Sequence, residues 1–379
     1  MSKQKLAEVL LETSQALLTG NFGTKSKIGL VVLGSEHGAN TMIEAAKLAK
    51  DSRFEIVLLG TDEEIDGIKT IKAVNPDEAH KIMEELLDSN ELDACVTMHY
   101  DFPIGVATVG RVITPGRGKE MIISATTGVT ATDRVEAMVK NAIIGIVAAK
   151  SIGIENPTLG ILNIEGARQT EQILKQLQEN GYPIAFADSM RADKGMVMRG
   201  NDLLHGSCDI MVADSLTGNL MLKIFSSFTT GGDYESLGYG YGPGVGEGYK
   251  RKVFIVSRAS GIPVVANAIK YAYETVAGNI EEKTTNEFAA AKKAGLDNIL
   301  RELHERKAKT EATVEPPAKE IVTKSIGGIE IMDLDDAVSK LWSVGIYAES
   351  GMGCTGPVVM VNEKNIEKAL EIMKEAKFI

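Results

Sequence analysis

Short apolar runs alternate with amphipathic stretches along most of this chain. IGLVVLG at 28–34, FEIVLLG at 54–60, the run at 92–98, TLGILNIE at 158–165, PIAFA at 183–187 and Ile210–Ala213 each read as a buried strand. Between them, TMIEAAKLAK, Pro76–Leu87 and the segment opened by GARQTEQ read as helices. Near-continuous apolar strands joined by helices predict an α/β fold, a mostly parallel sheet with helices flanking both faces. At the start, Leu6, Val9, Leu10, Leu17 and Leu18 share one helical face, which predicts a docking helix within residues 1–20. A further helix is expected over 263–278, and the Glu-, Lys- and Ala-rich residues 281–310 read as one or two solvated helices. Pro316 and Pro317 mark a linker over 311–320 that closes a two-part core spanning 21–310. Residues 321–379 read as helix, glycine-flanked cysteine loop, strand and final helix, a segment expected to pack back on the core.

Composition narrows the function. The 379 residues are 44% hydrophobic and 25% charged, the balance of a globular protein. A net charge of -11 argues against nucleic-acid or anionic-membrane partners, although a local basic pocket remains compatible with phosphate. The three cysteines, Cys95, Cys208 and Cys354, form no CxxC pair, which points to a reducing, cytoplasmic setting and to no metal site. Charges interrupt the N-terminal apolar pattern, so neither a signal peptide nor a spanning helix is expected there.

The stretch DIMVADSLTGNLMLK concentrates the candidate chemistry. Asp214, Ser215, Thr217, Gly218 and Asn219 follow the strand Ile210–Ala213, ahead of a helix expected to begin at LMLKIF. A small-residue turn at a strand's carboxyl end, feeding a helix, can offer backbone N–H groups to an anion, and an ordinary polar cap fits the same pattern. Other strand ends carry His37 in GSEHGAN, His99 with Tyr100 and Asp101, and Arg168 beside Asn163 and Glu165. Arg117 and Lys119, near Arg111, make a basic loop that is either a solvated turn or a gatherer of phosphate. The run TTGGDYESLGYGYGPGVGEGYKR fails as a dinucleotide fingerprint, because polar residues precede it and a strand follows; a lid or partner-contact loop is expected. Cys354 in ESGMGCTGP has the glycine-rich setting of an accessible, reactive thiol, while Cys95 and Cys208 lie beside apolar strands as structural thiols.

CDIMVADSLTGNLMLK, with TLGILNIEG upstream, resembles the acyl-phosphate branch of the acyltransferases, namely the phospholipid-synthesis enzymes that make acyl phosphate and, more distantly, phosphate acetyltransferase. The whole chain, including GSEHGAN, GYGYGPGVGEG and GMGCTGP, more closely resembles the alpha-subunit family of component C of glycine, sarcosine and betaine reductase. That resemblance implies an isocitrate-dehydrogenase-like two-part architecture, no cofactor, and transfer of an acetyl group to inorganic phosphate to give acetyl phosphate. It implies as partners a component C beta subunit and the selenoprotein of the complex. Cys354 would be a redox or acyl-carrying thiol, and Asp214, Ser215, Gly218 and Asn219 the phosphate and acyl site, with Ser215 where the acyl-phosphate enzymes' pattern has glycine. A coenzyme-A-dependent phosphate acetyltransferase and a non-catalytic scaffold are the alternatives.

Overall fold

The computed structural model describes residues 25–65, 67–192, 194–311, 315–329, 333–353, 356–376 and 378–379, with Leu11, Thr13 and Ser14 ahead of them. Apart from those three residues, the expected docking helix lies outside the described residues, and so does Cys354. The residues up to Ala294 form one compact unit and those from Gly295 another.

The first unit is built on strands β1 (Ser26–Val31), β2 (Phe54–Leu59), β3 (Lys69–Ile71), β4 (Ala94–Thr97), β5 (Val106–Ile113), β6 (Glu120–Val129), β7 (Thr158–Leu162), β8 (Ala185–Phe186), β9 (Val197–Met198), β10 (Ile210–Val212), β11 (Gly242–Val245) and β12 (Val253–Ile255). Its helices are α1 (Ala39–Ala49), α2 (Pro76–Asp88), α3 (Arg134–Ser151), α4 (Ala167–Glu179), α5 (Gly200–His205), α6 (Ser215–Ser227), α7 (Ile262–Ala277) and α8 (Ile280–Lys293). The strands form one sheet in the order β3-β2-β1-β4-β12-β11-β5-β6-β10-β7-β8, with β9 also paired to β7. Strands β3, β2, β1, β4 and β12 are mutually parallel, as are β6, β10, β7 and the two short strands beside it. Between the sets, β12 to β11, β11 to β5 and β5 to β6 are antiparallel. Three reversals make the two parallel sets run in opposite directions, so the sheet has a central switch in strand direction.

The expected α/β architecture is therefore present, and burial explains its apolar strands. Leu30 and Val32 join one hydrophobic cluster and Val31 the other; Leu58 and Leu59 divide in the same way. Alternate side chains enter opposite faces, and both faces are covered. Helix α3 is buried along most of its length, and its Asn141 is pinned from two sides. The Asn141 amide donates to the Ala213 carbonyl at 2.9 Å and its oxygen accepts from the Thr130 hydroxyl at 2.8 Å. A buried amide with both ends satisfied fixes α3 beneath β6 and β10.

Part of the glycine run departs from the loop expectation. Residues 242–245 are β11, an interior strand at the switch, flanked by β12 and β5. Its glycines recur at every second position, so one face of the strand has no side chains and neighbours press in. A Cβ on Gly244 would meet the Phe102 ring at 2.2 Å, and one on Gly246 the Gly105 carbonyl oxygen at 2.3 Å. Alternation with period two was the signal of a strand, and glycine content masked it.

The second unit contains α9 (Leu296–Glu311), β13 (Lys324–Ile326), α10 (Leu334–Ser343), β14 (Ala348–Gly353), β15 (Gly356–Val361) and α11 (Ile366–Glu375). Strand β15 lies between β13 and β14, antiparallel to both, around a core of Ile326, Leu341, Val359 and Met373. The sequence reading joined residues 348–353 to a loop, whereas they form β14, with Gly353 paired to Gly356.

Candidate active site

DSLTGN begins α6 instead of forming a turn before it. Asp214 is the N-cap, accepting from the Thr217 amide at 3.0 Å and the Thr217 hydroxyl at 2.8 Å. The Gly218 amide already donates to the Asp214 carbonyl at 2.9 Å. A carboxylate thus occupies the position at this helix end where an external anion would be drawn, which is the polar cap that the sequence left open beside the anion-binding turn, with Ser215 and Thr217 inside the first helical turn and not ahead of it. Arg134 stands 3.5 Å from Asp214 and 3.6 Å from Glu165, tying the cap to the end of β7. Asp214→Ala is expected to lower stability by about 1 kcal/mol, and Asp214→Asn by much less, because asparagine caps equally well. Urea midpoints of the two variants check this.

Gly218 lets α6 lie against β6. A Cβ there would fall 1.8 Å from the Ala125 carbonyl oxygen. This approach brings Asn219 to the sheet, where its Nδ2 donates to the Thr126 carbonyl at 3.0 Å. Beside it opens a cavity of about 330 Å³, where residues from both parallel sets meet. Asn219 and Lys223 of α6 line it together with His99 beyond β4, Tyr241 ahead of β11, and Ser257 and Arg258 beyond β12. Strand ends converging at a switch in a sheet are where α/β folds gather ligands.

A buried carboxylate backs this cavity. Glu235, only 1% exposed, accepts from the Tyr241 hydroxyl at 2.9 Å and the Ser260 hydroxyl at 2.8 Å, and lies 3.6 Å from Lys223 Nζ. Burial, then the adjacent Glu235 charge, push the Tyr241 hydroxyl far above its ordinary pKa, so it stays a protonated donor. Lys223 is thereby oriented from behind while its head group remains half exposed.

Of the sequence-predicted residues, the structure brings Asn219, His99 and Tyr100 to the cavity. His99 stands 3.5 Å from Asp101. His37 follows the cavity residue Glu36, with its ring 3.3 Å from the Ala259 carbonyl and edge-on to Tyr234. Arg168 pairs with Glu171 at 3.1 Å on its own helix. Arg117 and Lys119 precede β6, whereas Thr127 at the cavity lies near its other end; Lys119 donates to the Gly206 carbonyl at 2.9 Å. Sequence reasoning missed Lys223, Glu235, Tyr241, Ser257 and Arg258. Lys223 was readable as the residue one turn beyond Asn219, and Ser257 with Arg258 as another polar strand end. Among the described residues, no cluster of three or more His, Cys, Asp or Glu is placed to hold a metal, and no helix is long and apolar enough to cross a membrane.

The family model described as fatty acid synthesis protein matches residues 26–360. The glycine/sarcosine/betaine reductase complex component C subunit alpha of Peptoclostridium acidaminophilum is 57% identical over 378 residues, 99% of this chain and 98% of that one. A phosphate acyltransferase of Petrotoga mobilis is 26% identical over 242 residues, covering 52% of this chain and 71% of the relative. A branched-chain phosphotransacylase from Enterococcus faecalis aligns with a TM-score of 0.48 and 15% identity over 66% of this chain and 99% of that one. Continuous similarity from end to end, on an α/β sheet whose central switch opens a cation-lined cavity, places the chain in the fatty acid synthesis protein family and, within it, among the component C alpha subunits of glycine/sarcosine/betaine reductase.

Proposed function

We propose that the chain, as the alpha subunit of component C, transfers an acetyl group from a protein-bound thioester or selenium-linked intermediate to inorganic phosphate, giving acetyl phosphate. The observation that carries this reading is the end-to-end kinship with the Peptoclostridium acidaminophilum subunit. The cavity supports it chemically. Phosphate is anionic at neutral pH and needs no base, but it needs cations, and Lys223 and Arg258 both line the cavity. Attack of a phosphate oxygen forms the new C–O bond and puts negative charge on the carbonyl oxygen. Collapse breaks the C–S bond of a thioester, or the C–Se bond of a selenium-linked donor, and the electron pair leaves as thiolate or selenolate. The Asn219 amide has one N–H anchored on Thr126, which orients its second N–H as a donor for the developing oxyanion. Ser215, Thr217, Gly218 and Asp214 act in this reading by fixing the helix that carries Asn219.

The acyl donor is held by the component C beta subunit, the selenoprotein generates it, and the reaction belongs to the cytoplasm. Reconstituted complex supplied with labelled inorganic phosphate is expected to place the label in acetyl phosphate. Absence of labelled product from a fully assembled complex would sink the reading. Exchange of acetyl phosphate with coenzyme A by the isolated chain would favour a stand-alone transferase.

Cys354 is the redox or acyl-carrying thiol in this proposal. Cys95 and Cys208 are buried; burial and then the neighbouring Asp209 push the Cys208 thiol up to about 12, and burial drives Cys95 higher still. Neither offers appreciable thiolate at neutral pH. The folded protein is expected to take up one equivalent of iodoacetamide, and the Cys354→Ser protein almost none. Peptide mapping that found the label on Cys95 or Cys208 first would refute this assignment.

A further inference from the structure

The cavity beside Asn219 is polar except where two strand ends meet. Among the described residues that line it, the fully apolar side chains are Met98, Ile255 and Val256. They come from neighbouring strands, because β4 and β12 run parallel with Thr97 opposite Ile255, a register that sets Met98 beside Val256. Val256 is wholly buried and offers no surface, whereas Met98 and Ile255 keep 9% and 7% of theirs. Ile255 is fixed in place: it is β-branched, paired with Gly242 and Thr97 within the sheet, and packed into a core cluster. Met98 lies just past the end of β4, and its unbranched thioether is the kind of side chain that fills irregular space. Its methyl end reaches toward the end of β1, where a Cβ built on Gly34 would meet Met98 Cε at 4.0 Å. Behind Met98, the wall is a glycine without a side chain.

We propose, building on the reading of the cavity as an acyl-phosphate site, that Met98 is its acyl-length stop, so that the site takes a two-carbon acyl group and turns away longer straight-chain ones. With the carbonyl oxygen at Asn219 and the phosphate at Lys223 and Arg258, the remaining acyl carbon needs an apolar wall. A methyl group pressed on polar side chains would strip their water without replacing its hydrogen bonds. Met98 and Ile255 supply that wall. A third or fourth acyl carbon has to enter the space that the Met98 thioether fills, and this side chain cannot simply swing aside, since it is packed in the buried cluster that also holds Val32 and Val256. Truncating it would open a slot from the cavity toward Gly34, where no side chain blocks the way.

The test is calorimetric titration of the full-length chain with 2-oxopropyl-, 2-oxobutyl- and 2-oxopentylphosphonate. These are non-reactive isosteres of acyl phosphates, with a methylene in place of the bridging oxygen and acyl parts that lengthen by one carbon at each step. The wild-type chain is expected to bind the shortest at least about 10-fold more tightly than the longest, the lower end of what one misplaced methylene costs in an apolar pocket. Met98→Ala should bring that ratio below about 3, a loss of most of the discrimination one methylene can carry. Met98→Leu conserves the volume and should restore the wild-type ratio, a rescue that a generally loosened site would not show. Met98→Val, a smaller truncation, is expected to give an intermediate ratio and serves where the alanine protein does not fold. Equal affinities for all the isosteres in the wild-type chain overturn the proposal, as does an unchanged ratio in folded Met98→Ala or Met98→Val protein; in both cases binding of the shortest isostere leaves the acyl-phosphate reading standing. No binding of any isostere, by the chain alone or in the assembled complex, refutes that reading and the proposal together.

Discussion

Asn219→Ala is expected to lower the turnover of the assembled complex by about 10²–10³, with the loss in kcat, because it removes a donor that matters most when charge has moved onto the carbonyl oxygen. The same substitution takes away the hydrogen bond to the Thr126 carbonyl, and that neutral bond contributes only about 1 kcal/mol to folding. Activity should therefore collapse while the fold persists. Lys223→Ala should behave differently: a cation that meets phosphate before and during reaction supports binding, so KM for phosphate should rise, with a smaller change in kcat. Glu235 keeps its bonds from Tyr241 and Ser260 in that variant and is not left bare. Steady-state kinetics with phosphate as the varied substrate, alongside thermal melts, separates these patterns. Wild-type rates in both folded variants would remove the cavity from phosphate chemistry.

Much of this architecture was legible because burial on both faces writes apolar runs that periodicity can detect, as at Leu30–Val32 and Ile210–Val212. The start of α6 was misread for a local reason. Glycine and asparagine have low helix propensity, yet Gly218 is needed where α6 touches the Ala125 carbonyl, and Asn219 is held by Thr126. Tertiary contact outweighed propensity. The same holds for β11, whose glycines look like a mobile loop until the neighbours that exclude side chains are known. Glu235 was illegible in principle: nothing in DYESL separates a buried, triply contacted carboxylate from a solvated one. Its partners Ser260 and Lys223 come from distant parts of the chain, and only the fold assembles them.

Gly242→Ala is expected to cost more stability than any other single methyl group added to this sheet. Gly242 has φ +81°, a left-handed conformation that costs an L-residue roughly 1–2 kcal/mol. A Cβ built there would fall 1.7 Å from the Val109 carbonyl oxygen and 3.1 Å from the Tyr271 ring. The obstacle is backbone of the adjacent strand, so no rotamer change relieves it; β11 and β5 must separate, or the pairing of Gly242 with Ile255 must break. Such overlap brings the expected loss to at least about 3 kcal/mol, a large part of an ordinary domain's stability. Gly248→Ala is the matched comparison, since φ there is +72° but nothing lies within 4 Å of the added carbon. It should cost only about 1–2 kcal/mol, the conformational part. Tyr241 is the residue before Gly242, so a shift of β11 would also move the hydroxyl that holds Glu235 and, through it, Lys223. Phosphate affinity should consequently fall in whatever Gly242→Ala protein folds, and stay normal in Gly248→Ala. Equal unfolding free energies for the two variants would show that the close approach of β11 to β5 does not constrain the sheet, and would remove the reason for glycine at this position.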